Sequence, residues 1–208
     1  MSMKLLKKGA EGDIFLTTWN KKKAILKERK KKDYRNSSLD QRIRKKRTIR
    51  ECELISQVKS FGISTPLIYN MNTKNCTILM QHIVGTLVNE LSELKLIKSC
   101  KEIGKIVGTM HKNGVMHGDL TTSNFLVSDG KIFVLDFGLA SKTNKPEDHA
   151  VDLRLLKEIL NSAHAKIMNK AWSNFLKGYK SSVGLSRFNK VTYLVKVIES
   201  RGRYANVV

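Results

Sequence analysis

Asp119 and Asn124 stand five positions apart, and Asp136 follows seventeen positions after Asp119. Carboxylate and amide oxygens are the donors that hard divalent cations prefer. Phosphoryl transfer from ATP asks little covalent chemistry of a protein. It needs metal ions held by such oxygens, cations on the phosphates, and a group that orients the attacking hydroxyl. His117-Gly118-Asp119-Leu120 followed by Asn124 has the D-x-x-x-x-N spacing of a kinase catalytic loop. A loop of that length can aim Asp119 at an acceptor hydroxyl and Asn124 at a magnesium ion. Asp136-Phe137-Gly138 comes directly after the apolar run Phe133-Val134-Leu135. That puts a second metal-binding carboxylate at the end of a buried strand. Taken singly, Asp119 reads as a helix cap and Asn124 as a turn residue; the spacing of the set carries the chemistry. His117 reads as a structural residue, packed inside and bonded to backbone.

The cations come earlier in the chain. Ala24-Ile25-Leu26-Lys27 resembles the V-A-I-K strand of kinases. Strand periodicity puts Ile25 and Lys27 on one face, so Ile25 can touch adenine while Lys27 reaches the phosphates. The neighbouring lysines at 21–23 and 30–32 read as solvated, and Lys27 is favoured because it follows the apolar triplet. Its partner should be an acid on the next helix, Glu51 or Glu53. Two positions apart, they cannot share a helix face. Glu51 is the choice, which leaves Glu53 as a surface acid among Arg47, Arg50 and Lys59. Gly9-Ala10-Glu11-Gly12 falls short of a full G-x-G-x-x-G and by itself is a hairpin turn. Between two strands it can still cover phosphates with backbone N–H groups.

These residues need a scaffold, and the pattern supplies one in two halves. Strands are expected at 4–8, 13–19 and 23–29, then a helix N-capped by Ser38 that runs through Phe61. Gly62 ends that helix and Pro66 forbids its continuation. Further strands are expected at 67–69 and 77–83, a hinge at Gly85, and a helix over 94–111. Short strands at 125–127 and 132–135 flank an Asp129-Gly130 hairpin turn. From about 149 to 199 the composition is helical, with breaks near Gly178 and Gly184. The fold class is α+β, a bilobal protein-kinase-like fold. A small β-rich N-terminal lobe covers 1–83, a larger helical C-terminal lobe 84–200, and a basic tail 201–208. The activation segment is minimal: only 139–146 separate Asp136-Phe137-Gly138 from Glu147, and no A-P-E motif follows. A peptide substrate finds no developed shelf.

Composition sets the outer limits. Of 208 residues, 41% are hydrophobic, which excludes a disordered chain despite 27% charge. No stretch has the length of a membrane span and no signal-peptide pattern opens the chain, so a soluble, non-secreted protein is expected. Cys52, Cys76 and Cys100 are scattered and form no CxxC pair, which argues against a disulfide framework or a zinc site and fits a reducing cytoplasm. Lys and Arg number 39 against 18 Asp and Glu, a net charge of +21. Residues 1–60 hold 19 of the basic and 7 of the acidic residues, so they carry more than half of that surplus. Such a field recruits RNA, DNA or acidic protein surfaces, or serves solubility alone.

The chain resembles the small atypical kinases of the KEOPS (EKC) complex. The likeness rests on Lys8-Gly9-Ala10-Glu11, Lys32-Asp33-Tyr34-Arg35 with Leu39-Asp40, the Arg47 to Glu51 stretch, and Gly62-Ile63-Ser64-Thr65-Pro66. It also rests on the catalytic loop from His117 to Asn124, Asp136-Phe137-Gly138-Leu139, the acidic run from Glu147 to Leu153, and Arg201-Gly202-Arg203. In that family the helix acid belongs to an Arg-x-x-x-Glu element, which supports Glu51. The resemblance implies a cytoplasmic serine/threonine kinase with ATPase activity that uses ATP and Mg2+. Its implied partners are the tRNA-modifying catalytic subunit, a small auxiliary subunit on the N-terminal lobe, and tRNA. The complex makes threonylcarbamoyladenosine in tRNA, and Arg201 and Arg203 of the tail would help engage that RNA. The adenine hinge falls at Met80-Gln81-His82-Ile83, with Met80 and Ile83 as its contacts; the family more often has an acid near Gln81. Two other functions compete: a small-molecule phosphotransferase of the aminoglycoside or choline kinase type, and a non-catalytic RNA-binding scaffold.

Overall fold

The computed structural model describes residues 3–9 and 12–204, the last three as backbone only. Its first half is an antiparallel sheet of five strands in the order β1-β2-β3-β5-β4. These are β1 (Lys4–Lys8), β2 (Asp13–Trp19), β3 (Lys22–Glu28), β4 (Ile68–Asn72) and β5 (Thr77–Gln81). Asn20 and Lys21, with φ of 48° and 64°, turn β2 into β3 in the primed-turn geometry that matches strand twist.

Helix α1 (Ser37–Ser60) follows β3. Its cap is Asn36, not Ser38: the Asn36 side-chain oxygen accepts from the N–H groups of both Ser38 and Leu39. An amide oxygen satisfies two of the four open donors there, which settles the helix start earlier than expected. At the other end Gly62 takes a φ of +80° and stops the helix as its sequence implies. The fully buried Asp40 pins the approach to α1, accepting from the Lys32 N–H at 3.2 Å and from Arg44 Nε at 2.6 Å.

The second half is mainly helical. It holds α2 (Glu93–Lys112), α3 (Pro146–Ala163), α4 (Met168–Val183) and α5 (Leu185–Tyr204) around one apolar core. Gly178 does not break a helix; it lies inside α4. A Cβ on Gly178 would sit 1.8 Å from the Lys101 carbonyl oxygen, and one on Gly104 would sit 2.1 Å from that of Phe175. These glycines let α2 and α4 approach closely, a tertiary reason no local pattern reveals. Gly184, with φ +79°, is the break between α4 and α5. Helix α5 runs through Arg201, so the first residues of the basic tail continue a helix.

Small strands complete the fold. Strand β6 (Thr86–Leu87) pairs with β8 (Phe125–Ser128), which pairs with β9 (Lys131–Val134), while β7 (Val115–Met116) pairs with β10 (Ser141–Lys142). Asp129 and Gly130 form the β8–β9 turn with φ of 47° and 74°, as expected. The Val134 N–H donates to the Ser64 carbonyl at 2.9 Å, tying the stem of the Asp136 segment to the N-terminal half. Strand β4 begins one residue later than the sequence implies, and β5 ends at Gln81, short of the expected 83. No helix of the described residues is long and apolar enough to cross a membrane.

Candidate active site

In β3 the register pairs Lys27 with Ile78 and Ile25 with Met80, so these four share a face of the sheet. Ile25 packs there against the buried cluster of Cys52, Ile78 and Met80 beneath α1. Lys27 reaches past it. Its Nζ donates to Glu51 Oε1 at 2.7 Å and to Asp136 Oδ1 at 2.6 Å. Burial alone would lower the lysine pKa, but the two carboxylates outweigh it and the net direction is up. For Asp136 partial burial would raise the pKa, and the charge and hydrogen bond of Lys27 reverse that. Lys27 is therefore an ammonium and Asp136 a carboxylate. Glu51, the chosen helix acid, is 1% exposed, while Glu53 points to solvent.

Arg29, which the sequence reading did not single out, shares Glu51: its Nη2 donates to Oε2, so one carboxylate holds two cations from the same edge of the sheet. The signal was present, since Arg29 lies two residues beyond Lys27 and strand alternation sends both to one side.

The loop from His117 to Asn124 is set from below. Asn124 gives its Nδ2 hydrogens to the Asp119 backbone oxygen at 2.8 Å and to Asp119 Oδ2 at 2.9 Å. His117 is wholly buried; its Nε2 lies 3.0 Å from the Leu135 carbonyl and its Nδ1 accepts from the Asp119 N–H at 3.3 Å. Those partners make it the structural residue expected. Beneath it, Asp152 of α3 accepts from the His117 N–H at 2.6 Å and the Gly118 N–H at 2.8 Å, with His111 Nε2 at 3.2 Å. Sequence reasoning missed that anchoring role. The available hint was an acid amid Ala150, Val151 and Leu153 of an amphipathic helix.

The donor set suits a hard cation. With both Nδ2 hydrogens of Asn124 committed to Asp119, its Oδ1 is left as an acceptor. Asp136, with φ of +54°, turns a side chain 45% exposed toward the cleft, and Gly138 N–H and Lys27 occupy only its Oδ1. The described residues hold no group of three His, Cys, Asp or Glu side chains able to cage a metal alone. Magnesium commonly binds through one or two protein oxygens completed by phosphate and water, which is what this pair offers.

The remaining expected contacts fall as follows. Gly9 N–H donates to Gly12 O at 3.1 Å, and a Cβ on Gly12 would sit 2.5 Å from the Glu28 carbonyl, so Gly12 lies directly on the end of β3. Ala10 and Glu11 lie outside the described residues. Ile83 is half-buried in the linker after β5. Arg201 is exposed on α5, and the Arg203 side chain lies outside the described residues.

A second buried network supports the loop. The His111 and His149 rings stack at 4.0 Å, with the Tyr179 hydroxyl 3.0 Å from His111 Nδ1 and Arg187 Nη2 2.8 Å from His149 Nδ1. Burial lowers both histidine pKa values, that of His149 to about 3 with His111 and Arg187 adding to the effect. The unfolded chain takes up these protons below about pH 6.5 and the folded chain does not, so folded stability is full above that value and declines as pH falls. The melting temperature is expected to drop steadily from pH 7 to pH 5, and His149→Gln should flatten part of that slope. A slope unaltered by the substitution would assign the acid sensitivity elsewhere.

On the far side of α1, Arg42, Lys45, Lys46 and Arg50 recur at three and four positions and, with Lys142 of β10, line an open groove of about 570 Å³ beside Glu53. None of these five cations has an acid within ion-pair distance among the described residues.

The chain is similar to known proteins to different depths. The protein kinase domain family matches residues 2–162. The KEOPS complex subunit Bud32 of Pyrococcus abyssi is 39% identical over 97% of the chain and 96% of its own length. A probable bifunctional tRNA threonylcarbamoyladenosine biosynthesis protein of Methanocaldococcus jannaschii is 43% identical over 96% of the chain, which spans 37% of that longer protein. Among solved structures, the Rio2 kinase–ADP/Mg2+–phosphoaspartate complex of Chaetomium thermophilum superposes with a TM-score of 0.65 at 14% identity, covering 97% of this chain and 72% of that one. WaaP in complex with acyl carrier protein gives 0.57 at 15% identity, over 93% and 89% of the two chains. At such identities the structural likeness concerns the fold alone.

Proposed function

This chain belongs to the protein kinase family, in the group of the KEOPS subunit Bud32, and from that premise we propose an ATP- and magnesium-dependent serine/threonine kinase. It also hydrolyses ATP, and it works in the cytoplasm beside the catalytic and small auxiliary subunits of a KEOPS complex that forms threonylcarbamoyladenosine in tRNA. The observation that carries the reading is the meeting of Lys27, Glu51 and Asp136 at 2.6–2.7 Å beside the coupled pair Asp119 and Asn124.

Each side chain has a task. Lys27, held by Glu51, turns from Asp136 to the phosphates and orients them for in-line transfer. Asp119 accepts a hydrogen bond from the attacking hydroxyl or water, and Asn124 fixes the Asp119 carboxylate in the required rotamer. Asn124 and Asp136 would hold Mg2+, which when bound neutralises charge on the phosphates. The Gly9–Gly12 turn closes over the phosphates, and Ile25, Met80 and Ile83 line the adenine side. The test is ADP release and phosphate transfer to serine or threonine by the purified chain with Mg-ATP, alone and with the KEOPS catalytic subunit and tRNA. Absence of turnover in every mixture would overturn the kinase reading.

The unpaired cations on α1 support a polyanionic partner, with tRNA the candidate the family supplies, and Arg201 and Arg203 at the end of α5 would add contacts. Arg42→Glu, Lys45→Glu and Lys46→Glu together replace exposed side chains that pack against nothing essential. The triple variant is expected to keep basal turnover and to lose tRNA affinity. The slope of log affinity against log salt should shrink by roughly 0.9 for each duplex phosphate contact removed. An unaltered slope would assign the groove to something other than RNA.

A further inference from the structure

Arg29, directly after β3, is 3% exposed, and among the described residues its guanidinium is bonded to Glu51 alone. Its Nε and Nη1 are buried and no acceptor of the described residues reaches them. A buried guanidinium with two donors unbonded costs stability, and a well-packed apolar side chain would cost less. What the position gains is geometric. Lys27 takes Glu51 Oε1 and Arg29 takes Oε2, so both oxygens of the helix acid are fixed from one strand edge. A Cβ on Gly138 would lie 3.4 Å from Arg29 Nη2 and 3.4 Å from Lys27 Nζ, which seats both cations against the metal-binding segment.

In protein kinases the lysine–glutamate pair must be assembled, and phosphorylation of a long activation loop controls the helix that carries the acid. Here residues 137–145 alone connect Asp136 to α3. That connection is tied down already: β10 pairs with β7, and the Thr143 hydroxyl donates to Asp148 at 2.5 Å. A connection this short and pinned contains no long loop for phosphorylation to reorder.

We propose that Arg29 is a positioning residue that grips the second oxygen of Glu51 and keeps α1 and Lys27 in the working arrangement without any activating phosphorylation. The inference rests on the kinase reading, and the two fail separately. If the unmodified chain turns over no ATP, the kinase reading falls; if it is active and Arg29 variants match it, this inference alone falls.

The experiment compares Arg29→Lys and Arg29→Gln for kcat, KM for ATP and melting temperature. Pairwise couplings between contacting groups correspond to roughly 2- to 150-fold effects, which sets the scale for kcat in the Gln variant. The Lys variant keeps the charge without the fork and is expected to fall between it and the unmodified chain. The ATP KM should stay within about threefold, because the group acts through Glu51 and leaves ground-state nucleotide binding alone. In a Glu51→Gln background, Arg29→Gln should add no further loss. An unchanged kcat, or a raised KM with kcat intact, overturns the proposal, the second by making Arg29 a direct phosphate ligand. If the Gln variant does not fold, the same kcat-against-KM split is read on the Lys variant with the same consequences.

Discussion

Alanine in place of Asp136 is expected to reduce magnesium-dependent ATP turnover by on the order of 10³-fold or more, with little loss of the folded state. The carboxylate is 45% exposed, so its removal empties no core. Lys27 loses one of its two anions and keeps Glu51, 1% exposed and 2.7 Å away. The one structural cost is local. Asp136 holds a φ of +54°, a region Asp and Asn tolerate better than Ala, so strain of about 1–2 kcal/mol is added. Asp136→Asn avoids that strain and should lose activity to a similar degree, because a neutral amide is a poor substitute for a metal-binding carboxylate. Asp119→Asn is the informative companion. It removes a group that acts beyond the ground state, so turnover should fall by about 10²–10⁴-fold while ATP affinity persists. The check is steady-state turnover, nucleotide affinity and a melting curve on each variant. A folded and active Asp136→Ala chain would remove this residue from the site.

Much of this was legible because it is local. Lys27 announced itself by an apolar triplet on a strand, Asp136 by the end of another, and the Asp129-Gly130 turn by residues that accept positive φ. Helix periodicity showed that Glu51 and Glu53 could not both face the sheet, and the Arg-x-x-x-Glu resemblance favoured Glu51. What stayed hidden depends on partners remote in sequence. Gly178 looked like a helix break and is a contact point, because the carbonyl it approaches belongs to Lys101. Ser38 looked like the cap, and Asn36 wins by reaching two N–H groups at once. Arg29 was lost among the neighbouring lysines, and its meaning lies in a carboxylate 22 positions away. Asp152 sat in an acidic run whose resemblance to a family was visible, while the backbone it serves lies 34 and 35 positions upstream.

Asp152 therefore supports the other large expectation. Its carboxylate, 1% exposed, takes hydrogen bonds from two successive backbone N–H groups, those of His117 and Gly118, and from the His111 ring. Asp152→Ala leaves these donors buried and unpaired, a loss of about 3–5 kcal/mol by analogy with broken buried pairs. For a chain of this size each kcal/mol moves the melting temperature by roughly 2–4 °C, so a fall of about 10 °C is expected. Asp152→Asn separates anchoring from charge. An amide keeps the shape, but its Nδ2 would face a backbone N–H, donor against donor, so one of the two loop contacts must break. The peptide after His117 would then rotate, and Asp119, the next residue but one, would lose its aim. Nucleotide contacts through Lys27 and Asp136 would stay in place. The Asn variant should thus keep ATP affinity and lose kcat, a split that a merely stabilising residue would not produce. The acid limb offers a second check. Burial would raise the Asp152 pKa, but the hydrogen bonds from His111 and the His117 N–H outweigh it, so the folded value lies below the unfolded one. Its contribution is present above about pH 4 and disappears as pH falls through the folded value, separate from the histidine slope that begins near pH 6.5. A folded Asp152→Asn chain with unaltered kcat would show that the loop holds its shape without this anchor.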